Sequence, residues 1–239
     1  MKVQTKILLI GIDGLMLQRA LDSGRAKTLA RLRNDSFFSD MVVDLPTVSG
    51  PSWTTLLTGT TQEIHGVVDN DFKDHRLDGA PDLLTLASRK FPELRTFAAA
   101  GWPPLIDPND VGPVIATRVS DQEVGKHSIF VRDGETHGYE SIDVEVAHQT
   151  VKTIHESGPD LSFVYFCGAD EAGHQHGTIE GKYFDAIERI DLLVEMLQHA
   201  IHNRQKKFNE NGSSSSPQIT AIAMKAVMVE IAVKNVRLL

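Results

Sequence analysis

Ile7-Leu8-Leu9-Ile10-Gly11-Ile12-Asp13-Gly14 is the stretch on which the fold turns. An uncharged apolar run stopped by an Asp-Gly turn pair reads as a β-strand buried on both faces, and such strands belong to parallel sheets. Lys27 to Arg33 follows as a helical segment with Leu29 and Leu32 at helical spacing, and Met41 to Leu45 reads as a short second strand closed by Pro46. Strand, helix, strand is the opening of an α/β domain. Arg95 to Ala100 and Leu161 to Phe166 are further short apolar runs with Gly101 and Gly168 after them, and both are expected as strands. Val144 to Ile154 reads as a helix. The clearest helix is Tyr183 to Ile201, where Tyr183, Ile187, Ile190, Val194, Leu197 and Ile201 recur at steps of four and three.

The remaining segments are punctuation. Val67 to Asp82 is rich in Asp and is expected as a long surface loop or small insertion. After a domain spanning residues 1–208, a Ser-rich linker at 209–218 leads into an apolar tail at 219–239, which carries neither His nor Asp and fits a strand or a helix equally well.

At 239 residues the chain is long enough for one large domain with a sizeable core, and a 41% hydrophobic, 23% charged composition excludes collagen-like, disordered and coiled-coil classes. A net charge of −8 without a Lys/Arg cluster argues against tracking a nucleic-acid backbone. The single cysteine, Cys167, excludes an internal disulfide and a cysteine-only zinc site. The N-terminal apolar stretch is too short for a signal-peptide core or a membrane span, so the expectation is a chain without a bilayer crossing, cytoplasmic by default. Oligomeric state is left open.

Three features can carry chemistry. Asp13 ends the first strand, and the carboxyl ends of strands in an open parallel sheet are where ligands bind, so it is a candidate metal ligand or else a turn residue. Pro46 to Gly59 places a hydroxyl residue between a strand exit and a helix beginning near Pro51. There the helix dipole favours an alkoxide and an incoming phosphate, although a plain serine N-cap uses the same geometry. Asp170-Glu171-Ala172-Gly173-His174-Gln175-His176-Gly177 is expected as a loop whose carboxylate and imidazoles form an oxygen and nitrogen ligand set suited to zinc. The other histidines read as structural or solvated.

Together these residues resemble the alkaline phosphatase superfamily, and within it the type I phosphodiesterase/nucleotide pyrophosphatase family. The matching blocks are Leu8 to Gly14, then Pro46 to Gly59 running on to His65-Gly66-Val67-Val68-Asp69-Asn70, then Asp170 to Gly177. The resemblance implies a three-layer α/β domain with a mostly parallel central sheet. It also implies two zinc ions at the carboxyl edge of that sheet and a covalent phospho-enzyme intermediate. Ser49 falls on the nucleophile, which is itself metal-bound, and Asp13 on a ligand of the zinc that activates it; Asp170 and His174 fall on ligands of the other zinc. Ser52 stands where relatives carry a phosphate-contacting Asn, and Trp53 replaces the Arg of the sulfatase motif, which argues against sulfate esters.

The family pattern continues into an Asp-His-Gly segment and one more His, and after Asn211 the sequence has no counterpart of either. Each zinc would then keep two protein ligands, with His176 the one further donor nearby. The expected function is therefore metal-dependent hydrolysis of phosphodiesters or nucleotide pyrophosphates. The alternatives are an impaired, truncated form that acts only by binding, and a phosphate monoesterase of the same superfamily. The partner in each case is a small phosphate ester or nucleotide.

Overall fold

The computed structural model of the protein describes residues 5–39, 41, 45, 47–179, 181–210 and 218–227. In chain order the first half contains β1 (Thr5–Asp13), α1 (Leu17–Asp22), α2 (Lys27–Asp35), α3 (Ser49–Thr58), α4 (Gln62–His65), a 3-10 turn (Leu77–Gly79), α5 (Leu83–Lys90), β2 (Thr96–Ala100) and α6 (Pro103–Ile106). The second half contains α7 (Val119–Glu123), β3 (His127–Val131), α8 (Gly134–His137), α9 (Tyr139–Glu156), β4 (Leu161–Phe166), α10 (Gly168–His176), α11 (Lys182–Glu210) and β5 (Gln218–Val227). The strands form one parallel sheet in the order β3-β2-β4-β1-β5.

Helices cover both faces, and the period-2 alternation of strand side chains sorts the core into two halves. Leu8, Ile10 and Ile12 of β1, with Val164 and Phe166 of β4 and Phe97 and Ala99 of β2, pack against Leu29 of α2, Val146 of α9 and Ile187, Ile190 and Val194 of α11. The alternate positions, Phe163 and Tyr165 of β4 and Ala98 and Ala100 of β2, face Trp53 and Leu57 of α3, Leu84 of α5 and Leu105 and Ile106 of α6. Asp13 follows Gly11 on this second face. Parallel register sets Ile12 beside Phe166 and Ala100 beside Tyr165, so the carboxyl ends of β1, β2 and β4 lie side by side.

The three-layer α/β architecture and the strands at 7–12, 95–100 and 161–166 are as the sequence indicates, and the stripe from Tyr183 to Ile201 is buried throughout. Other expectations change. β3 carries no strong sequence signal because it is five residues long, opens with His127 and Ser128, and sits at an edge where its last residues stay half-buried. Of the strand expected at Met41 to Leu45, residues 42–44 and Pro46 lie outside the described residues, while Met41 and Leu45 are exposed and in no regular element. The expected Asp170 to Gly177 loop is instead helix α10, which Gly177 terminates at a φ of 76°. Val67 to Asp82 is irregular apart from the 3-10 turn, but Val67, Phe72, Ala80 and Asp82 are buried, because Phe72 packs on Trp102 and Asp82 caps α5. The tail adopts the strand option, with β5 pairing along β1; the linker at 211–217 and residues 228–239 lie outside the described residues.

Candidate active site at the carboxyl edge of the sheet

Asp13 is wholly buried where β1 ends. Its Oδ2 accepts from Trp53 Nε1 at 2.9 Å and from the Tyr165 hydroxyl at 2.5 Å, and its Oδ1 from the Gly14 N–H at 2.9 Å. The Ser49 hydroxyl lies near enough to favour the charged form of the same carboxylate. Burial raises the Asp13 pKa above the usual carboxylate range, and the hydrogen bonds from Tyr165, Ser49, Trp53 and Gly14 pull it back down.

Two glycines make this arrangement possible. A methyl group on Gly11 would lie 2.6 Å from the Trp53 ring, so the bare backbone lets the indole lie against β1 and reach Asp13. The ring also meets Tyr165 edge-on, with centroids 5.1 Å apart. Gly14 takes a φ of +64°, and a methyl group there would lie 2.4 Å from the Asp170 Cα, so the turn after β1 lies directly on the first turn of α10.

Ser49 is the first residue of α3, and Val48 before it is the N-cap, with no side-chain capping bond. The plain serine N-cap therefore does not describe Ser49, which is half-buried and turned to Asp13. The helix N-terminus is served from a distance, because Gly50 N donates to Asn70 Oδ1 at 2.7 Å. That bond ties the end of the His65 to Asn70 block to the Ser49 turn. His65 holds the other end of the same block: its Nδ1 accepts from Val67 N at 3.1 Å and its Nε2 lies 3.0 Å from Thr55 Oγ1. Burial and Arg76 lower its pKa, so His65 is a neutral structural clip.

On α10, His174 Nε2 lies 3.5 Å from Asp170 Oδ2, one helical turn away. Burial pushes the Asp170 carboxyl up to about 6, the neighbouring Asp13 adds to the shift, and His174 opposes it. His174 and His176 are both exposed. Ser52 differs from Ser49: it is buried, and its hydroxyl has no hydrogen-bond partner among the described residues. The structure thus brings Ser49, Asp13 and Asp170 to one place, with His174 at its rim and Ser52 behind the surface.

The sequence model of the type I phosphodiesterase/nucleotide pyrophosphatase family matches residues 7–211. This chain belongs to that family. Mouse ectonucleotide pyrophosphatase/phosphodiesterase family member 1 is 24% identical over 212 residues, a match covering 81% of the chain and 22% of that protein. Phosphonoacetate hydrolase from Sinorhizobium meliloti 1021, solved with phosphonoformate, superposes with a TM-score of 0.60 at 16% identity, over 82% of the chain and 54% of the other. An inactive variant of murine ectonucleotide pyrophosphatase/phosphodiesterase 5, solved with AMP, gives 0.57 at 20% identity, over 82% and 53%. The chain spans about half the length of these solved structures and about a fifth of the mouse protein.

Within this phosphodiesterase family member, the donor types fit zinc in kind but not in number. No group of three or more His, Cys, Asp and Glu side chains able to hold a metal exists among the described residues, whereas zinc takes three or four protein ligands. No helix among the described residues is long and apolar enough to cross a membrane.

Sequence reasoning alone gave no role to Trp53, Asn70, Tyr165 or Asp143. Trp53 and Asn70 stand inside the quoted blocks, and Tyr165 lies on the same strand face as Phe163, so a signal was present for each. Asp143 falls in step with the buried positions Tyr139, Val146, Thr150 and Thr153 of α9, and a carboxylate in a core-facing stripe is the sign it left.

Proposed function

We propose that this chain carries the nucleophile half of a phosphoric-ester hydrolase, with Ser49 attacking phosphorus in a phosphodiester or nucleotide pyrophosphate. The observation that carries this reading is the contact between the half-buried Ser49 hydroxyl, at the start of α3, and the buried Asp13 carboxylate. In the attack the Ser49 Oγ–P bond forms and the bond from phosphorus to the leaving oxygen breaks. Asp13, a neighbouring carboxylate made more basic by burial, is placed to take the serine proton as the Oγ–P bond forms. The N-terminal end of α3 supplies positive dipole where the phosphoryl oxygens gather. Water then displaces the serine oxygen from phosphorus, which releases the phosphate monoester, a nucleoside monophosphate when the substrate is a nucleotide pyrophosphate, and restores the Ser49 hydroxyl.

Asp13 with Ser49, and Asp170 with His174, are the donors a pair of metal ions would meet; zinc is the ion their types suit, and two donors apiece fall short of the three a catalytic zinc takes. Ser52 can serve as a phosphate donor only after its buried hydroxyl is uncovered. A binding-only role is the second reading, favoured by the three hydrogen bonds with which the protein itself occupies Asp13.

The deciding experiment combines zinc stoichiometry on protein purified without chelator with hydrolysis of bis(p-nitrophenyl) phosphate in the same sample. Turnover that falls at least ~1000-fold in Ser49→Ala supports the hydrolase. Turnover indifferent to Ser49, with less than one zinc per chain, leaves the binding-only reading. Faster cleavage of p-nitrophenyl phosphate than of the diester would move the substrate class to monoesters.

A further inference from the structure

Asp143 lies on α9, outside every motif that marks the site, and it is buried. Its two carboxylate oxygens accept from the backbone N–H groups that open α10: Oδ1 from Cys167 at 3.2 Å and Oδ2 from Gly168 at 2.8 Å. Helix α10 has no cap of its own, since its N-cap is Cys167 and no side-chain capping bond is made there. The carboxylate can come this close because residue 168 is glycine; a methyl group would lie 2.9 Å from Asp143 Oδ2. From the opposite side the first turn of α10 rests on Gly14. The N-terminus of α10 is therefore held between α9 and the end of β1, and Asp170 is two residues beyond the gripped amides.

We infer that Asp143 is a positioning residue, which through its hold on the Cys167 and Gly168 amides fixes the pose in which α10 presents Asp170 and His174 to Ser49. The inference rests on the hydrolase reading for its catalytic consequence, but not for its structural one. The molecule contains its own control. Asp191 of α11, equally buried, accepts from Thr28 N at 2.9 Å and Leu29 N at 2.8 Å and so caps α2 with the same chemistry, yet α2 carries no residue of the site. A general stabilising role predicts like behaviour for the two aspartates. A positioning role predicts different behaviour.

The test compares Asp143→Asn, Asp143→Ala and Asp191→Asn in the full chain. The readouts are thermal unfolding, amide hydrogen exchange by peptide, and kcat and KM for bis(p-nitrophenyl) phosphate. Asp143→Asn is expected to lose about tenfold in kcat with KM changed less than threefold, and to speed exchange over residues 168–174. Asp143→Ala, with no acceptor left for either amide, is expected to lose more, so that the Asn variant counts as partial rescue. Asp191→Asn is expected to lower the unfolding temperature as much, to speed exchange in α2, and to keep kcat within twofold. Gly168→Ala, which leaves the carboxylate in place but pushes α10 away from it, is expected to repeat the Asp143→Asn kinetics. Equal kcat losses in the Asp143 and Asp191 variants, or unchanged exchange in α10, overturn the inference. If turnover is indifferent to Ser49→Ala, the hydrolase reading fails separately, and exchange in α10 alone decides whether Asp143 holds that helix.

Discussion

The two ends of the sheet treat buried charge in opposite ways. At the amino edge, Lys6 Nζ donates to Asp160 Oδ1 at 2.5 Å and to Gly158 O at 2.6 Å, and Arg204 donates to the Ile154 and His155 carbonyls. Nearby, Arg118 donates to Ser88, Thr96 and His127 and pairs with Asp121. Cations predominate there, each met by carbonyls or a carboxylate, and burial lowers the pKa values of Lys6, Arg118 and Arg204. At the carboxyl edge the buried groups are acids. Asp13, Asp143 and Asp170 are all raised by burial, and N–H and O–H donors hold the first two. Paired charge at one end is consistent with fastening. Acids held away from water, with no Lys or Arg in ion-pair contact among the described residues, are consistent with a site kept ready for something else.

The contrast can be broken most forcefully at Lys6. Lys6→Ala removes the lysine from its buried ion pair with Asp160, and is expected to cost about 3–5 kcal/mol in chemical denaturation while leaving kcat for the diester unchanged. A loss below 1 kcal/mol would mean the amino edge is not a fastening.

Two titrations should run in opposite directions. His127 is buried and held neutral, its pKa lowered to about 4 by burial and then Arg118, with Asp82 and Asp121 opposing. A depressed base contributes stability that is present above the unfolded pKa of about 6.5 and is lost as pH falls toward 4, a change of roughly 3 kcal/mol. His127→Gln should flatten that part of the stability curve. Asp170, raised to about 6, does the reverse in chelator-treated protein: the native state holds its proton longer, so stability falls as pH rises from about 4 to 6. Asp170→Asn should remove that decline and stabilise the metal-free protein at pH 7 by about 1–2 kcal/mol, measured by urea unfolding. If both variants change the curve with the same sign, the two ends of the sheet are not electrostatic opposites.

Smaller effects sharpen the picture. Gly11→Ala forces the Trp53 indole off β1 and is expected to cost about 1–3 kcal/mol, with a shift in tryptophan fluorescence as the indole leaves Asp13. Arg31, more than half of whose side chain is in water, pairs with Glu195 and donates to Thr28 Oγ1, and Arg31→Ala should change stability by less than about 1 kcal/mol.

The blocks around Asp13, Ser49 and Asp170 were legible because each is local: an apolar run, a hydroxyl before a helix, a carboxylate and imidazole one turn apart. The helix at Gly168 to His176 was not, since its two glycines, one at its first position and one inside it, and its two histidines carry weak helical propensity, and its start is stabilised by Asp143, 25 residues upstream of Gly168. The cap on α3 was hidden for a similar reason, as Asn70 reaches Gly50 across 20 residues of sequence. β3, the polar-ended edge strand, lacked the alternation that period-based reading requires.

Sequence by itself determined the parallel α/β class, the phosphodiesterase family blocks and the residue types gathered for chemistry, because periodicity and turn residues act over a few positions. Tertiary structure alone decided that Ser49 lies at Asp13 while Ser52 is covered, that Trp53 and Tyr165 occupy Asp13, and that Gln218–Val227 lies as a strand beside β1. Hydrogen bonds between residues 40 and 152 positions apart, such as those Trp53 and Tyr165 make to Asp13, exist only once the sheet has set its strand ends side by side.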